Sequence, residues 1–120
     1  FYCSVFKNSS ITQETPMVVH FDINGQKIMA LNGGPQFKFN EAISFVVECD
    51  TQAEIDYYWE KLTAEGEESM CGWLKDKFGL SWQIVPKVLG ELMADPTRAQ
   101  RVMQAFLRMK KFDLETLLKA

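Results

Sequence analysis

Two stretches of this chain follow one plan: Asp22-Ile-Asn-Gly25 runs into Gln-Lys-Ile-Met-Ala-Leu, and Asp76-Lys-Phe-Gly79 runs into Leu-Ser-Trp-Gln-Ile-Val. Each places a tight-turn signal ahead of a strand-like apolar run. Similar units at a fixed offset are the mark of internal duplication, and paired units of this kind can assemble around one site. At 120 residues, with 47% hydrophobic and 24% charged residues, the composition is that of one folded domain rather than a disordered chain. The expected layout is a first module over 1–34, a second over 42–86 and a helical tail over 87–120. A formal charge of -3 argues against a nucleic-acid module, which needs a Lys/Arg excess to meet phosphates.

The three cysteines, Cys3, Cys49 and Cys71, have neither CxxC nor CxxxxC spacing, so no disulfide scaffold or zinc ribbon is indicated. Reduced thiols in a cytoplasm are the expectation. No apolar run approaches the roughly 20 residues that span a bilayer, and no leader pattern opens the chain. Phe1 to Phe6 reads as the last turns of a helix, without an initiator Met, so missing upstream residues are the expectation, and the duplicated β-α-β-β-β plan lacks only its first strand.

Met17 to Ile23 is rich in β-branched and aromatic residues, and Asn24-Gly25 supplies the positive backbone angles of a hairpin before a strand over Lys27 to Asn32. Ala42 to Glu48 reads as a buried strand. Thr51 and Glu54 form a capping-box pattern before a helix that buries Ile55, Trp59 and Leu62. Glu67 to Met70, Cys71 to Lys77 and Ser81 to Pro86 read as three short strands. In the tail, Val88, Leu89 and Leu92 indicate a short helix, and Asp95-Pro96 reads as the N-cap and first residue of the next. Val102, Met103, Phe106 and Leu107 form its apolar stripe, a core or dimer seam rather than a ligand lid, and Asp113 caps a last turn with Leu117 and Leu118. Arg98, Arg101, Arg108, Lys110 and Lys111 read as a solvated basic face.

Four stretches together, Phe-Tyr-Cys-Ser-Val-Phe (1–6), Asp-Ile-Asn-Gly-Gln-Lys-Ile-Met-Ala-Leu-Asn-Gly-Gly-Pro (22–35), Ala-Ile-Ser-Phe-Val-Val-Glu-Cys (42–49) and Cys-Gly-Trp to Trp-Gln-Ile-Val-Pro (71–86), resemble the PhnB-like branch of the glyoxalase/bleomycin-resistance, or vicinal oxygen chelate, superfamily. Members of that branch often carry a 3-demethylubiquinone-9 3-methyltransferase-like label. The resemblance implies an α+β fold of paired β-α-β-β-β modules in a cup-shaped mixed sheet, and a homodimer. The first strand is not represented here, and the helical C-terminal extension departs from the modular plan.

The superfamily's usual chemistry uses a divalent metal held by His and Glu. The matching positions here are Met29, Gln83 and Ala42, a thioether, an amide and a methyl group, which make a poor cage for a hard cation. No cofactor is therefore expected. His20, the only histidine, would be the first general base to consider, yet no nucleophile or carboxylate partner stands at a recognisable spacing, so a structural role is the simpler reading. Cys71, beside Gly72 and Trp73, is the nucleophile candidate, with Lys75 or Lys77 as sources of an activating field.

Counting by two places Met29 and Leu31, Ser44 and Val46, and Gln83 on the open side of the sheet, while Ile28, Phe45, Trp82 and Ile84 back onto helices. Trp73, Val46, Leu31 and Met29 then form the wall of an apolar pocket, although core filling alone would explain most of them. The expected binding set is Met29, Leu31, Ser44, Val46, Cys71, Trp73 and Gln83, with a small apolar or aromatic molecule as ligand and neither nucleic acid nor membrane as partner. A metal-dependent lyase, isomerase or dioxygenase is the alternative. Methyl transfer is the weakest reading, because no glycine-rich strand-to-helix turn exists to hold a nucleotide-like donor.

Overall fold

Phe1 to Phe6 closes into a short helix, α1 (Tyr2–Val5), whose Tyr2 ring stacks on Phe21 at 6.0 Å. Three antiparallel strands follow in spatial order: β1 (Ser9–Glu14), β2 (Val18–Ile23) and β3 (Gln26–Leu31). Asn24 and Gly25 link β2 to β3 at φ 49° and 84°, the pair of left-handed residues that a two-residue hairpin of this twist requires. Phe21 and Ile23 are buried on one face, so Val18, His20 and Asp22 occupy the other.

The second sheet is built from β4 (Phe45–Cys49), β5 (Glu67–Glu68), β6 (Trp73–Lys75) and β7 (Ser81–Pro86), in the order β4-β7-β6-β5 with β4 parallel to β7. Between β4 and β5 runs α2 (Gln52–Thr63). Thr51 caps it by accepting from the Glu54 amide at 3.2 Å, and the Glu54 carboxylate accepts from the Asp50 amide. The helix buries Ile55, Trp59 and Leu62, and β6 and β7 answer with buried Leu74, Trp82 and Ile84. Each such side chain contributes about 1.5–3 kcal/mol by leaving water.

This computed structural model describes all residues, 1–120, as two units, Phe1–Lys38 and Phe39–Ala120. The fold is α+β with two open sheets. The second unit holds the complete β-α-β-β-β order, and the first holds its α-β-β-β portion. No helix is long and apolar enough to cross a membrane.

Several local expectations are corrected. The strand expected over 42–48 begins only at Phe45, because the Ala42 amide donates to Asn40 Oδ1 in a turn, and it is an exposed edge rather than a buried strand. The strand over 71–77 shrinks to Trp73–Lys75, since Cys71 and Gly72 take φ 58° and 81° and break the extended run. Asp95 does not cap a helix: its carboxylate closes a turn onto Thr97, and α4 (Ala99–Phe106) starts later. Of the apolar stripe on α4, Val102 is buried while Met103 remains exposed. The basic residues are also more engaged than a solvated face would be. Arg98 donates to the Ala120 carbonyl at the end of α5 (Leu114–Lys119), and Lys111 pairs with Asp56 at 2.7 Å. α3 (Leu89–Ala94) and the Asp113 cap of α5 are as expected.

Candidate functional site

Alternation along β7 decides what the second sheet presents. Trp82 and Ile84 are buried toward α2, which leaves Ser81 and Gln83 on the helix-free face. Strand register then places Val46 on one side of Gln83 and Trp73 on the other, a row across three strands. Ser44 joins them: Gln83 Nε2 donates to Ser44 Oγ at 3.0 Å, which fixes the amide in place. Val46 is 54% exposed, so this row is an apolar surface with one anchored polar group at its centre.

In the first sheet Met29 stands directly across from His20, and Leu31 across from Val18, all on the face opposite Phe21. Met29 and Leu31 are 62% and 65% exposed. The expected residues thus divide into two sets. Ser44, Val46, Trp73 and Gln83 share a face of the second sheet, and Met29, Leu31 and His20 share a face of the first. His20 lies between Gln13 and Met29 on the adjoining strands, neither of which can activate an imidazole.

Cys71 is half-buried where the chain leaves the sheet. Its amide donates to the Met109 carbonyl at 2.7 Å and that of Gly72 to Lys110 at 2.8 Å, so the turn is pinned by the tail. The lysines offered as its activators are otherwise occupied: Lys75 pairs with Glu41, and Lys77 lies over the Phe78 ring at 5.4 Å. The Lys75 contact holds Glu41 below the usual carboxylate range and raises Lys75, mainly through their hydrogen bond. Cys49 is inert for a different reason: burial, with Glu54 and Asp50 nearby, pushes its thiol up to about 12.

Cys71 and Trp73 line a cavity of about 440 Å³ together with Glu41, Glu67, Met70, Lys75 and Ser81. Of these, Ser81 escaped the sequence reading. Its side chain is 1% exposed and its Oγ has no hydrogen-bond partner, an arrangement that costs about 1–3 kcal/mol. Counting back by two from Gln83 would have placed it on the same face. No three His, Cys, Asp or Glu side chains converge to hold an ion. Met29 is a thioether and the Gln83 amide is committed to Ser44, so neither side chain suits a hard cation.

The profile of the 3-demethylubiquinone-9 3-methyltransferase family matches residues 1–85. Among solved structures, a PhnB protein from Bacillus cereus carrying the same methyltransferase description is 31% identical, over 71% of this chain and 84% of that one, with a TM-score of 0.61. Protein PA1353 from Pseudomonas aeruginosa is 17% identical over 62% of this chain and 69% of its own, with a TM-score of 0.49. No curated protein matches the chain.

Proposed function

The chain belongs to the 3-demethylubiquinone-9 3-methyltransferase family, with a PhnB-like relative among solved structures, and from that premise we propose that it binds a small apolar or aromatic molecule without a conventional metal. The observation that carries this reading is the row Val46–Gln83–Trp73 on the helix-free face of the second sheet. Solvent-facing apolar side chains beside one amide tethered by Ser44 are what a small organic ligand needs: area to cover and a single directional contact. The first sheet offers a similar surface in Met29 and Leu31.

Kinship with the wider glyoxalase/bleomycin-resistance superfamily belongs to the same proposal and is supported by the β-α-β-β-β order of the second unit. So do a homodimer, consistent with the exposed apolar residues, and a cytoplasmic setting, consistent with three unpaired thiols. Methyl transfer draws no support from the residues. The chain passes from β4 to α2 through Glu48-Cys-Asp-Thr-Gln52, without the glycines that let a backbone cradle a nucleotide-like donor.

Native mass spectrometry with elemental analysis of freshly purified protein tests the reading. The expected result is an organic guest, or an empty chain that takes up the neutral probe 2-naphthol. Trp73→Ala should then weaken 2-naphthol about tenfold, since a stacked ring is worth roughly 1.5 kcal/mol beyond its area. A stoichiometric metal would replace this reading with a metal-dependent lyase, isomerase or dioxygenase. Absence of both guest and probe binding would refute it.

A further inference from the structure

Ser81 holds a buried hydroxyl with no hydrogen-bond partner, and it lines the cavity of about 440 Å³ beside Trp73. A buried polar atom is normally paired, so an orphan in a cavity wall points to a partner that arrives from outside. Strand register gives that partner its surroundings. Ser81 lies opposite Lys75 on β6, and Lys75 lies opposite Glu67 on β5, so the three share one face of the sheet. Lys75 is already engaged by Glu41. The cavity walls therefore carry the carboxylates of Glu41 and Glu67 against a single ammonium, whereas Glu68, opposite Leu74, turns its carboxylate to Trp59 Nε1 and Lys110.

That balance selects the ligand's charge. An anion would meet an excess of carboxylates, whereas an ammonium group brings several N–H donors to a hydroxyl acceptor and a carboxylate together. Trp73, on the same face, offers the ring that attracts a cation and covers an aromatic body. The Glu41–Lys75 pair is no barrier: its side chains are 63% and 33% exposed, and ion pairs at the surface exchange partners at little cost. Moving the Lys75 side chain uncovers its cross-strand neighbour, Ser81.

We propose that this cavity takes a small organic cation of the arylalkyl primary amine class, its ammonium donating to Ser81 Oγ and paired with Glu67, its ring against Trp73. The proposal rests on the reading of this face as a site for aromatic molecules and narrows it to a charge.

Calorimetric titration of the full chain with 2-phenylethylamine and with its neutral counterpart 2-phenylethanol, at pH 7, tests it. The amine should bind about tenfold tighter, the value of one charge-assisted hydrogen bond. Glu67→Gln should abolish that preference. Ser81→Ala should weaken the amine about fivefold while the unfolding midpoint stays level or rises, because the variant removes an unsatisfied hydroxyl. Equal affinity for the two compounds, with 2-naphthol still bound, overturns the cation assignment and leaves the aromatic site standing. Loss of binding for all three compounds overturns both. A Ser81→Ala protein that is stabilised but unchanged toward the amine also overturns the assignment, since the hydroxyl is then only a packing defect.

Discussion

Gly72 holds the turn between Cys71 and Trp73, and substituting it by alanine should be among the more damaging single-methyl additions in the chain. Its φ is +81°, where an L side chain costs about 1–2 kcal/mol. A Cβ built there would lie 2.5 Å from Phe112 Cε2 and 2.8 Å from the Ile84 carbonyl oxygen. Phe112 is 1% exposed and cannot swing into solvent. Overpacking of this kind adds about 1–3 kcal/mol. The expected total is roughly 2–5 kcal/mol, or about 8–20 °C in midpoint for a domain of this size. Gly79→Ala supplies the control, because Gly79 has φ +86° with nothing within 4 Å of the added carbon, so only the backbone term of about 1–2 kcal/mol remains. Urea unfolding followed by tryptophan fluorescence measures both. A Gly72→Ala/Phe112→Leu double variant should be less destabilised than the sum of its singles by at least about 1 kcal/mol, since the shorter side chain yields the space. If the Gly72 and Gly79 variants unfold within about 0.5 kcal/mol of each other, the contact with Phe112 is not what requires glycine at 72.

Three further outcomes are expected. Asp76 is 2% exposed and accepts from the Phe78 and Leu80 amides and from Trp82 Nε1 at 2.9 Å, so Asp76→Asn, which sets an amide donor against one of these N–H groups, should cost about 2 kcal/mol by urea unfolding. A loss below about 0.5 kcal/mol would mean the carboxylate is not what ties this turn. Cys49, raised from 9.0 to about 12, keeps its proton in the folded state when the unfolded chain has lost it, so its contribution to stability is present below pH 9 and is lost as pH rises toward 12. The wild type should therefore lose stability more steeply above pH 9 than Cys49→Ala, and the Cys49 thiol should ignore a disulfide reagent at pH 8 until the chain is unfolded; prompt reaction in the native protein would contradict its burial. Finally, Lys75→Met should raise Glu41 from its lowered value toward the ordinary carboxylate range, the backbone hydrogen bond at Glu41 still holding it down in part, read by carbon-detected NMR titration, and an unmoved titration would show that the pair does not form in solution.

The parts of the fold that could be read in advance are those whose causes are local. Asn24-Gly25 dictates a two-residue hairpin by its own backbone preferences, and Thr51 with Glu54 caps α2 within one turn. Face parity followed from the same kind of rule, since burial of Trp82 and Ile84 places Gln83 opposite them. The misread segments depend on partners distant in sequence. Residues 42–44 are apolar enough for a strand, but β7 begins at Ser81 and its first bridge to β4 joins Trp82 to Phe45. The break at Cys71-Gly72 is imposed by hydrogen bonds to Met109 and Lys110, some forty residues away in the tail. Ser81 was passed over because nothing in its neighbours signals that a hydroxyl would be buried without a partner; that emerges only from register and packing.

The repeat itself shows how letters and geometry diverge. Asp22-Ile-Asn-Gly25 and Asp76-Lys-Phe-Gly79 align without a gap, yet their aspartates are not equivalent. In the first hairpin Ile23 pairs with Gln26 around a two-residue turn, whereas in the second the Asp76 amide donates to the Leu80 carbonyl around three residues, 77–79. One extra residue in the turn moves the preceding strand by one position, and with a period of two that sends its side chains to the other face. Asp22 accordingly faces away from α1, across from Lys27, while Asp76 takes the place of Ile23 on the helix side and is buried against Trp82. Beyond the turn the alignment is restored, so that Met29 and Gln83 are equivalent and their cross-strand partners are His20 and Trp73. The first copy therefore presents an imidazole and a thioether where the second presents an indole and a tethered amide, with Lys27 standing where the second copy has Ser81. The two hairpins share their register after the turn, and the chemical difference between the two sheets lies in those cross-strand pairs. For that reason the orphan hydroxyl and its carboxylates have no counterpart in the first unit, and specificity is expected to reside in the second.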